Sequence, residues 1–108
     1  PISAALAIGA PKDRLEQNYP NPFNPETWIP YSLAEECDNV SIIIYSLLGE
    51  EIRRLELGHK SAGFYTTKDC AAHWDGKNEY GMNVASGVYF YQIKAGDFSA
   101  VRKMVILK

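Results

Sequence analysis

Hydrophobic and polar side chains alternate along much of the chain, and this period of two predicts β-strands rather than helices. Residues 27–33 alternate in this way around Pro30. Because proline has no amide donor, this strand is expected at the edge of a sheet. Residues 40–45, with the sequence VSIIIY, carry β-branched side chains on both faces and predict a buried central strand.

Further strands are predicted at short intervals up to the last residues of the chain. A slip in the apolar spacing between Ile52 and Leu55 predicts a β-bulge. Gly96 and Asp97 are typical of a two-residue hairpin connection with a primed turn. About six to eight short strands at this spacing predict an all-β fold, either a β-sandwich or a small barrel. These later strands are 51–57, 64–68, 71–74, 88–95 and 98–107, with a loop over 58–63.

Proline placement divides the chain into two parts. All six prolines lie within the first 30 residues, so the later residues are free to form sheet. Residues 1–13 are small and apolar, then charged, and have neither an initiator Met nor a basic start, so they are not a complete signal peptide. We interpret residues 1–14 as a linker from a larger protein, with an edge-docked strand as the alternative, and residues 15–108 as the folded domain.

Composition sets limits on the class of protein. The chain has 108 residues and a mass of 12.1 kDa, which corresponds to one domain with a real hydrophobic core. Eleven basic residues against thirteen acidic residues give a net charge of −2, without the strongly basic surface of a general nucleic-acid binder. No apolar run reaches about 18 residues, so no membrane span is predicted.

Two motifs connect the chain to a known family. One is the run NYPNPFNP over residues 18–25, and the other is WDG over residues 74–76, followed by Gly81 and by Gly87-Val88-Tyr89. In this order they resemble the C-terminal sorting domain, type A, of the type IX secretion system. They are equally similar to the immunoglobulin-like domain of the flagellar hook-capping protein. The resemblance extends over everything after residue 14.

The resemblance implies an immunoglobulin-like β-sandwich of about seven strands. It implies a non-catalytic module, without a cofactor, that directs an exported bacterial protein through the periplasm to the cell surface or the extracellular space. Its partners would be the secretion translocon or the surface-attachment machinery, together with upstream cargo domains of the same chain, and not nucleic acid. The alternative is a structural, assembly or ligand-binding module that stays on the mature protein.

The sorting address implied by the resemblance lies in the last strands, at Gly87, Val88, Tyr89, Lys103 and Lys108. The two lysines are five positions apart, whereas other branches of the family have a tighter pair. We expect the edge of the last strand to be open to a partner by strand addition.

The motif residues also have expected structural roles. Trp74 and Tyr89 are predicted in the core, and the Asp75 side chain is predicted to turn onto nearby amides. The asparagines interleaved with proline are predicted to bond to backbone groups and to make a rigid extended spacer ahead of the domain. These asparagines are Asn18, Asn21 and Asn24.

Other candidate chemistry is weaker. Cys37 and Cys70 are the only cysteines, and an exported domain with an even number suggests a disulfide, with two free thiols as the alternative. No spacing matches a known zinc module or a nucleophile constellation, and we expect no enzyme activity. Three further interpretations stay open: zinc at Cys37, His59, Cys70 and His73, calcium at Asp75, Asn78, Glu79 and Asn83, and a carbohydrate platform of Trp28, Tyr65 and Tyr80.

Overall fold

The structure, a computed structural model, describes residues 9–108, and these residues form β-strands without any helix. No helix long and apolar enough to cross a membrane occurs in this part of the chain. Hydrogen bonds join the strands into three antiparallel sheets, ordered β1-β3-β6, β2-β7 and β5-β4-β8-β9. The strands are β1 (Arg14–Leu15), β2 (Thr27–Ile29), β3 (Tyr31–Leu33), β4 (Cys37–Ser46), β5 (Glu51–Lys60), β6 (Gly63–Tyr65), β7 (Ala72–Trp74), β8 (Gly87–Ala95) and β9 (Phe98–Ile106).

Pro30 divides one run of chain into β2 and β3. On one side this run pairs with β7 and β6, and on the other side it meets the chain around β1. The predicted edge position of Pro30 is therefore wrong. The Pro30 carbonyl accepts a hydrogen bond from the Glu16 amide at 3.0 Å. Pro30 itself has no amide donor, and it lies between the Leu15–Tyr31 and Tyr19–Trp28 pairings, where the ladder is interrupted.

The three sheets form the two layers of a sandwich. Residues 66–71 interrupt the strand that continues from β6 into β7, as Pro30 interrupts β2 and β3. Joining β2 with β3 and β6 with β7 reduces the nine strands to the seven that were predicted. One layer is then β1, β2–β3 and β6–β7, and the other is the four-stranded sheet.

Local details of the four-stranded sheet agree with most of the sequence pattern. Arg53 pairs with Ile44 and Glu51 with Tyr45, which leaves Ile52 as the extra residue of the predicted bulge. Gly96 has a φ of +61°, and it alone in the β8–β9 turn has a positive φ, as in a type II′ turn. β5 is longer than predicted, because its pairing with β4 continues beyond Leu57 to Lys60.

Aromatic and branched side chains from both layers fill the core. Trp74 is fully buried and lies edge-on to Phe23 at 5.6 Å and to Tyr89 at 6.2 Å between ring centroids. The prediction that Trp74 and Tyr89 are core residues is confirmed. The other large side chains with almost no exposed surface are Ile29, Tyr31, Leu33, Ile42, Ile43, Ile44, Tyr91, Ile93, Met104 and Ile106.

We expect Trp74→Ala to lower the free energy of unfolding by about 3–5 kcal/mol, since it leaves a large cavity between the layers. Urea denaturation followed by circular dichroism measures this change. Tyr80→Ala is the matched control, because Tyr80 is 85% exposed and its truncation should cost within about 0.5 kcal/mol. A loss below about 1 kcal/mol for Trp74→Ala would contradict the prediction.

Candidate functional site at the C-terminal hairpin

The predicted address residues lie on the β8–β9 hairpin, but they do not form one cluster. Gly87 pairs with Ile106 at one end of the sheet, and Tyr89 points into the core, where its hydroxyl donates to Ala85 O at 2.8 Å. Lys103 is exposed and pairs with Phe90. Gly87 and Val88 therefore lie near the end of β9, and Lys103 lies further along the sheet.

Lys108 closes the end of the hairpin. Its backbone amide donates to Ser86 Oγ at 3.0 Å, and its Nζ donates to Val84 O at 2.5 Å. The ammonium group is therefore turned onto the loop ahead of β8. Among the predicted address residues, Gly87, Val88 and Lys108 come together, and Lys103 stays apart.

The outer edge of β9 is occupied by the proline-rich segment. The Phe23 amide donates to Val105 O at 3.0 Å, and the Leu107 amide donates to Phe23 O at 3.0 Å. The Val105 amide donates to Asn21 Oδ1 at 2.9 Å. The expectation that this edge is free for strand addition is therefore wrong at Val105 and Leu107, because the Asn-Pro segment already bonds to them.

The proline-rich segment belongs to the sandwich and is not an extended spacer, so that prediction is also wrong. The Phe23 ring is 2% exposed and packs in the core. Asn18 is equally buried, and its Nδ2 donates to Thr27 Oγ1 at 3.0 Å and to Pro20 O at 3.2 Å. The backbone bonds predicted for Asn18 and Asn21 are confirmed, whereas the described residues show none for the Asn24 side chain.

Tyr91 joins the hairpin to the same segment from inside the core. Its hydroxyl donates to Glu16 O at 2.7 Å and accepts from the Asn18 amide at 2.9 Å. Burial raises the pKa of Tyr91 to about 12, so the phenol stays protonated and can donate. The Arg102 Nε donates to Leu15 O at 2.7 Å and adds a second link near the start of the segment.

The local structure around the WDG motif explains its residue types. Asp75 Oδ1 accepts from the Lys77 amide at 3.0 Å, as predicted, and also from Arg53 at 3.1 Å. Gly76 has a φ of +76°, and a Cβ there would lie 2.4 Å from Pro25 O. The WDG motif and the Asn-Pro motif are therefore in direct contact.

Both cysteines, which lie in the described part of the chain, are free thiols in the structure. Cys37 Sγ lies 3.5 Å from Asn39 O, and Cys70 Sγ lies 3.4 Å from Thr67 Oγ1. The disulfide suggested by their even number is not formed in the structure, where each thiol contacts a residue two or three positions away in sequence.

Residues 9–108 contain no group of three side chains placed to hold a metal ion. The zinc candidates are dispersed, with His59 bonded to Glu36 and His73 to Glu26, each at 2.7 Å. In the proposed calcium loop, Asp75 and Glu79 face Arg53, and Asn78 Oδ1 accepts from the amides of Tyr80 and Met82. The three platform aromatics are also separate: Trp28 packs on His73, Tyr65 stacks on Tyr31, and Tyr80 lies in a loop.

Sequence reasoning missed one surface feature at this site. Leu47 and Leu48 in the β4–β5 turn are exposed beside the start of β8. Two leucines directly ahead of Gly49 in a tight turn are the signal in the sequence that could have identified them, because turn tips usually carry polar residues.

These features define an immunoglobulin-like β-sandwich. The model of the FlgD Ig-like domain matches residues 26–98, and the chain belongs to this family. No curated protein matches the chain significantly.

Solved structures that share the fold include PorZ, PorU and FlgD. PorZ of Porphyromonas gingivalis, described as an essential surface component of the type IX secretion system, matches 85% of the chain at 19% identity and a TM-score of 0.57. PorU from the same organism, in its dimeric latent form, matches 92% at 17% identity and 0.61. FlgD from P. aeruginosa matches 68% at 23% identity and 0.53. The chain spans 11%, 9% and 54% of these proteins, respectively.

We expect Gly76→Ala to destabilise the domain more than Gly81→Ala. Both glycines have a positive φ, but only at Gly76 would the new Cβ meet another backbone atom. The left-handed conformation alone costs an alanine about 1–2 kcal/mol. Thermal unfolding of the two variants should therefore differ by at least about 1 kcal/mol, and equal losses would contradict the close contact between the motifs.

Tyr91→Phe should lower the free energy of unfolding by about 1–3 kcal/mol, because the Asn18 amide loses its acceptor in a buried position. The raised pKa of Tyr91, about 12 in the folded protein, adds a pH dependence. The stabilisation is complete below the ordinary value near 10 and is lost as the pH rises from 10 towards 12. Urea denaturation at pH 9 and pH 11 should show a smaller alkaline loss in Tyr91→Phe than in the wild type. An identical loss in both would refute this role.

Proposed function

We propose that this chain is a non-catalytic sorting and anchoring module of an exported bacterial protein. Residues 87–108 present the address, and secretion or surface-attachment machinery binds it. The module acts by being bound, and its cargo is the rest of the same polypeptide. Its place of action is the cell surface or the extracellular space, after passage through the periplasm.

The observation that carries this proposal is the pairing of the two segments outside the family match. The matched residues, 26–98, form most of the sandwich. The segments on either side of it are bonded to each other through Asn21, Phe23, Val105 and Leu107. The chain therefore adds a composite surface to the common fold, and the two segments contain the Asn-Pro motif and two of the five predicted address residues, Lys103 and Lys108.

A sorting address that is fixed in one conformation has a physical advantage over a disordered tail. The bonds of Lys108 to Ser86 and Val84, and those of β9 to the Asn-Pro segment, fix the last residues in one conformation. A partner that binds a pre-ordered surface meets a smaller entropic cost on association. The likeness to part of PorZ, itself described as a surface component of the type IX system, supports this assignment.

A second candidate is a structural or assembly module that stays on the mature protein. The match to the FlgD Ig-like domain favours it, since that family is not defined by sorting. Cleavage separates the two functions. Mass spectrometry of the mature parent protein tests this. The mature protein lacks these residues if they are a sorting signal that is removed, and it retains them if they are an assembly module.

We expect Lys103→Gln combined with Lys108→Gln to reduce surface delivery of a reporter fused ahead of the chain. The host must be a bacterium with an active type IX system. Both lysines are exposed, and Lys108→Gln removes only the Nζ bond to Val84 O while its backbone bond to Ser86 stays, so the melting temperature should change little. Lys12→Gln with Lys94→Gln, also at exposed positions, is the matched control and should be delivered like the wild type. Normal delivery of the first variant with an intact fold would exclude these lysines from the address.

A further inference from the structure

Exposed apolar side chains occur at one end of the four-stranded sheet. The sheet is antiparallel, so the end of β4, the start of β5, the start of β8 and the end of β9 lie together. Among the described residues, seven large hydrophobic side chains are exposed, and three of them lie in the β4–β5 turn or directly after β9. We call these three residues the apolar end: Leu47, Leu48 and Leu107.

Leu47 and Leu48 form the tip of the apolar end. They are 66% and 87% exposed in the turn between β4 and β5. The turn is held by bonds from the Gly49 amide to Ser46 O at 2.9 Å and from the Glu50 amide to Ser46 Oγ at 3.2 Å. The two leucines are therefore presented on a fixed support.

The turn does not need leucine for its own conformation. Gly49 supplies the positive φ of +88°, and exposed turn positions ordinarily carry polar residues. Leu47, Leu48, Gly87 and Val88 line one shallow groove. Two adjacent exposed leucines on a fixed turn beside this groove are a candidate site of interaction.

At this end, both edges of the four-stranded sheet are already bonded. The outer edge of β9 is bonded to Asn21 and Phe23 over Val105 and Leu107. At the opposite edge of the sheet, Glu79 bonds to Ile52 O and to the Arg54 amide of β5. A partner that reads the end of the hairpin therefore meets side chains at the apolar end.

The charges of the turn indicate the chemistry of the partner. Glu50 is the charged residue of the turn, and Glu51 is the first residue of β5. Glu51 pairs with Arg54 at 3.1 Å, whereas exposed Glu50 has no ion-pair partner within residues 9–108. A carboxylate beside the tip disfavours an anionic lipid surface. It favours a protein pocket with an apolar floor and a Lys or Arg at the rim.

We propose that Leu47 and Leu48 insert into such a pocket on a protein of the secretion or surface-attachment machinery, with a basic rim residue facing Glu50. This inference rests on the proposed function and names the contact through which the module is bound. The wider apolar end, including Leu107, packs around the mouth of the pocket.

Delivery of the reporter fusion tests the contact. Leu47→Ser with Leu48→Ser should reduce surface delivery at least tenfold at an unchanged melting temperature. Phe64→Ser with Val101→Ser is the matched control, because both residues are 56% exposed and lie elsewhere, and it should be delivered normally. Glu50→Lys should also reduce delivery, since it places like charges together, whereas Glu50→Gln should have a smaller effect.

The outcomes separate the two proposals. A wild-type fusion that is not delivered removes the proposed function and this inference with it. Normal delivery of the wild type and of the Leu47→Ser, Leu48→Ser variant overturns the inference alone and leaves the proposed function standing.

Two measurements on the purified chain test whether Leu47 and Leu48 bind a membrane or a second copy of the chain instead. We expect no sedimentation with vesicles of phosphatidylglycerol or phosphatidylcholine, and a monomer in sedimentation velocity. Vesicle binding that the two serine substitutions abolish would overturn the protein pocket in favour of a membrane. A dimer that the same substitutions dissociate would overturn it in favour of a second copy.

Discussion

The insertion of Phe23 between the two layers is the interaction on which the rest of the domain depends. Its ring packs edge-on to Trp74 at 5.6 Å, while its own amide and carbonyl bond to Val105 and Leu107. One residue therefore fills the core and closes the edge of β9. Prolines on both sides cannot donate to a ladder, so Asn18 and Asn21 provide the missing polar contacts.

This closure has a consequence for recognition. An unpaired edge strand invites pairing with other chains, and natural sheets protect such edges. Here the Asn-Pro segment protects the last strand along Val105 and Leu107. In the proposed recognition, the partner therefore contacts not this part of the backbone edge but the exposed side chains of Leu47 and Leu48.

Local pattern made much of the fold predictable. Alternation and β-branching locate β4, β8 and β9, and the glycine turn at 96–97 follows from sequence neighbours. Trp74 is a large aromatic residue at the end of a strand, which is sufficient to predict its burial. In each case the decisive interactions are between residues close in sequence, or depend on a period that one strand displays alone.

The errors concern contacts between residues distant in sequence. Pro30 was expected at an edge because its missing donor is a local property, but the interruption that accommodates it lies in the chain near Leu15 and Tyr19. The Asn-Pro segment was interpreted as a spacer because no pattern within it reveals that Asn21 bonds to Val105, 84 positions away. Pairing of this kind depends on the three-dimensional arrangement of both segments, and one sequence contains no separate signal for it.

The long-range bonds also make the proposed address depend on folding. Gln17 Nε2 donates to Lys103 O at 2.9 Å, and Tyr91 links β8 to Glu16 and Asn18. The segment ahead of the family-matched residues is therefore bonded both to the segment behind them and to β8 within them. Substituting a side chain that makes these bonds, Gln17 or Tyr91, therefore changes stability and presentation together. Within the described residues, the side chains of the apolar end make no comparable hydrogen bonds. Recognition can therefore be altered there while the fold is preserved.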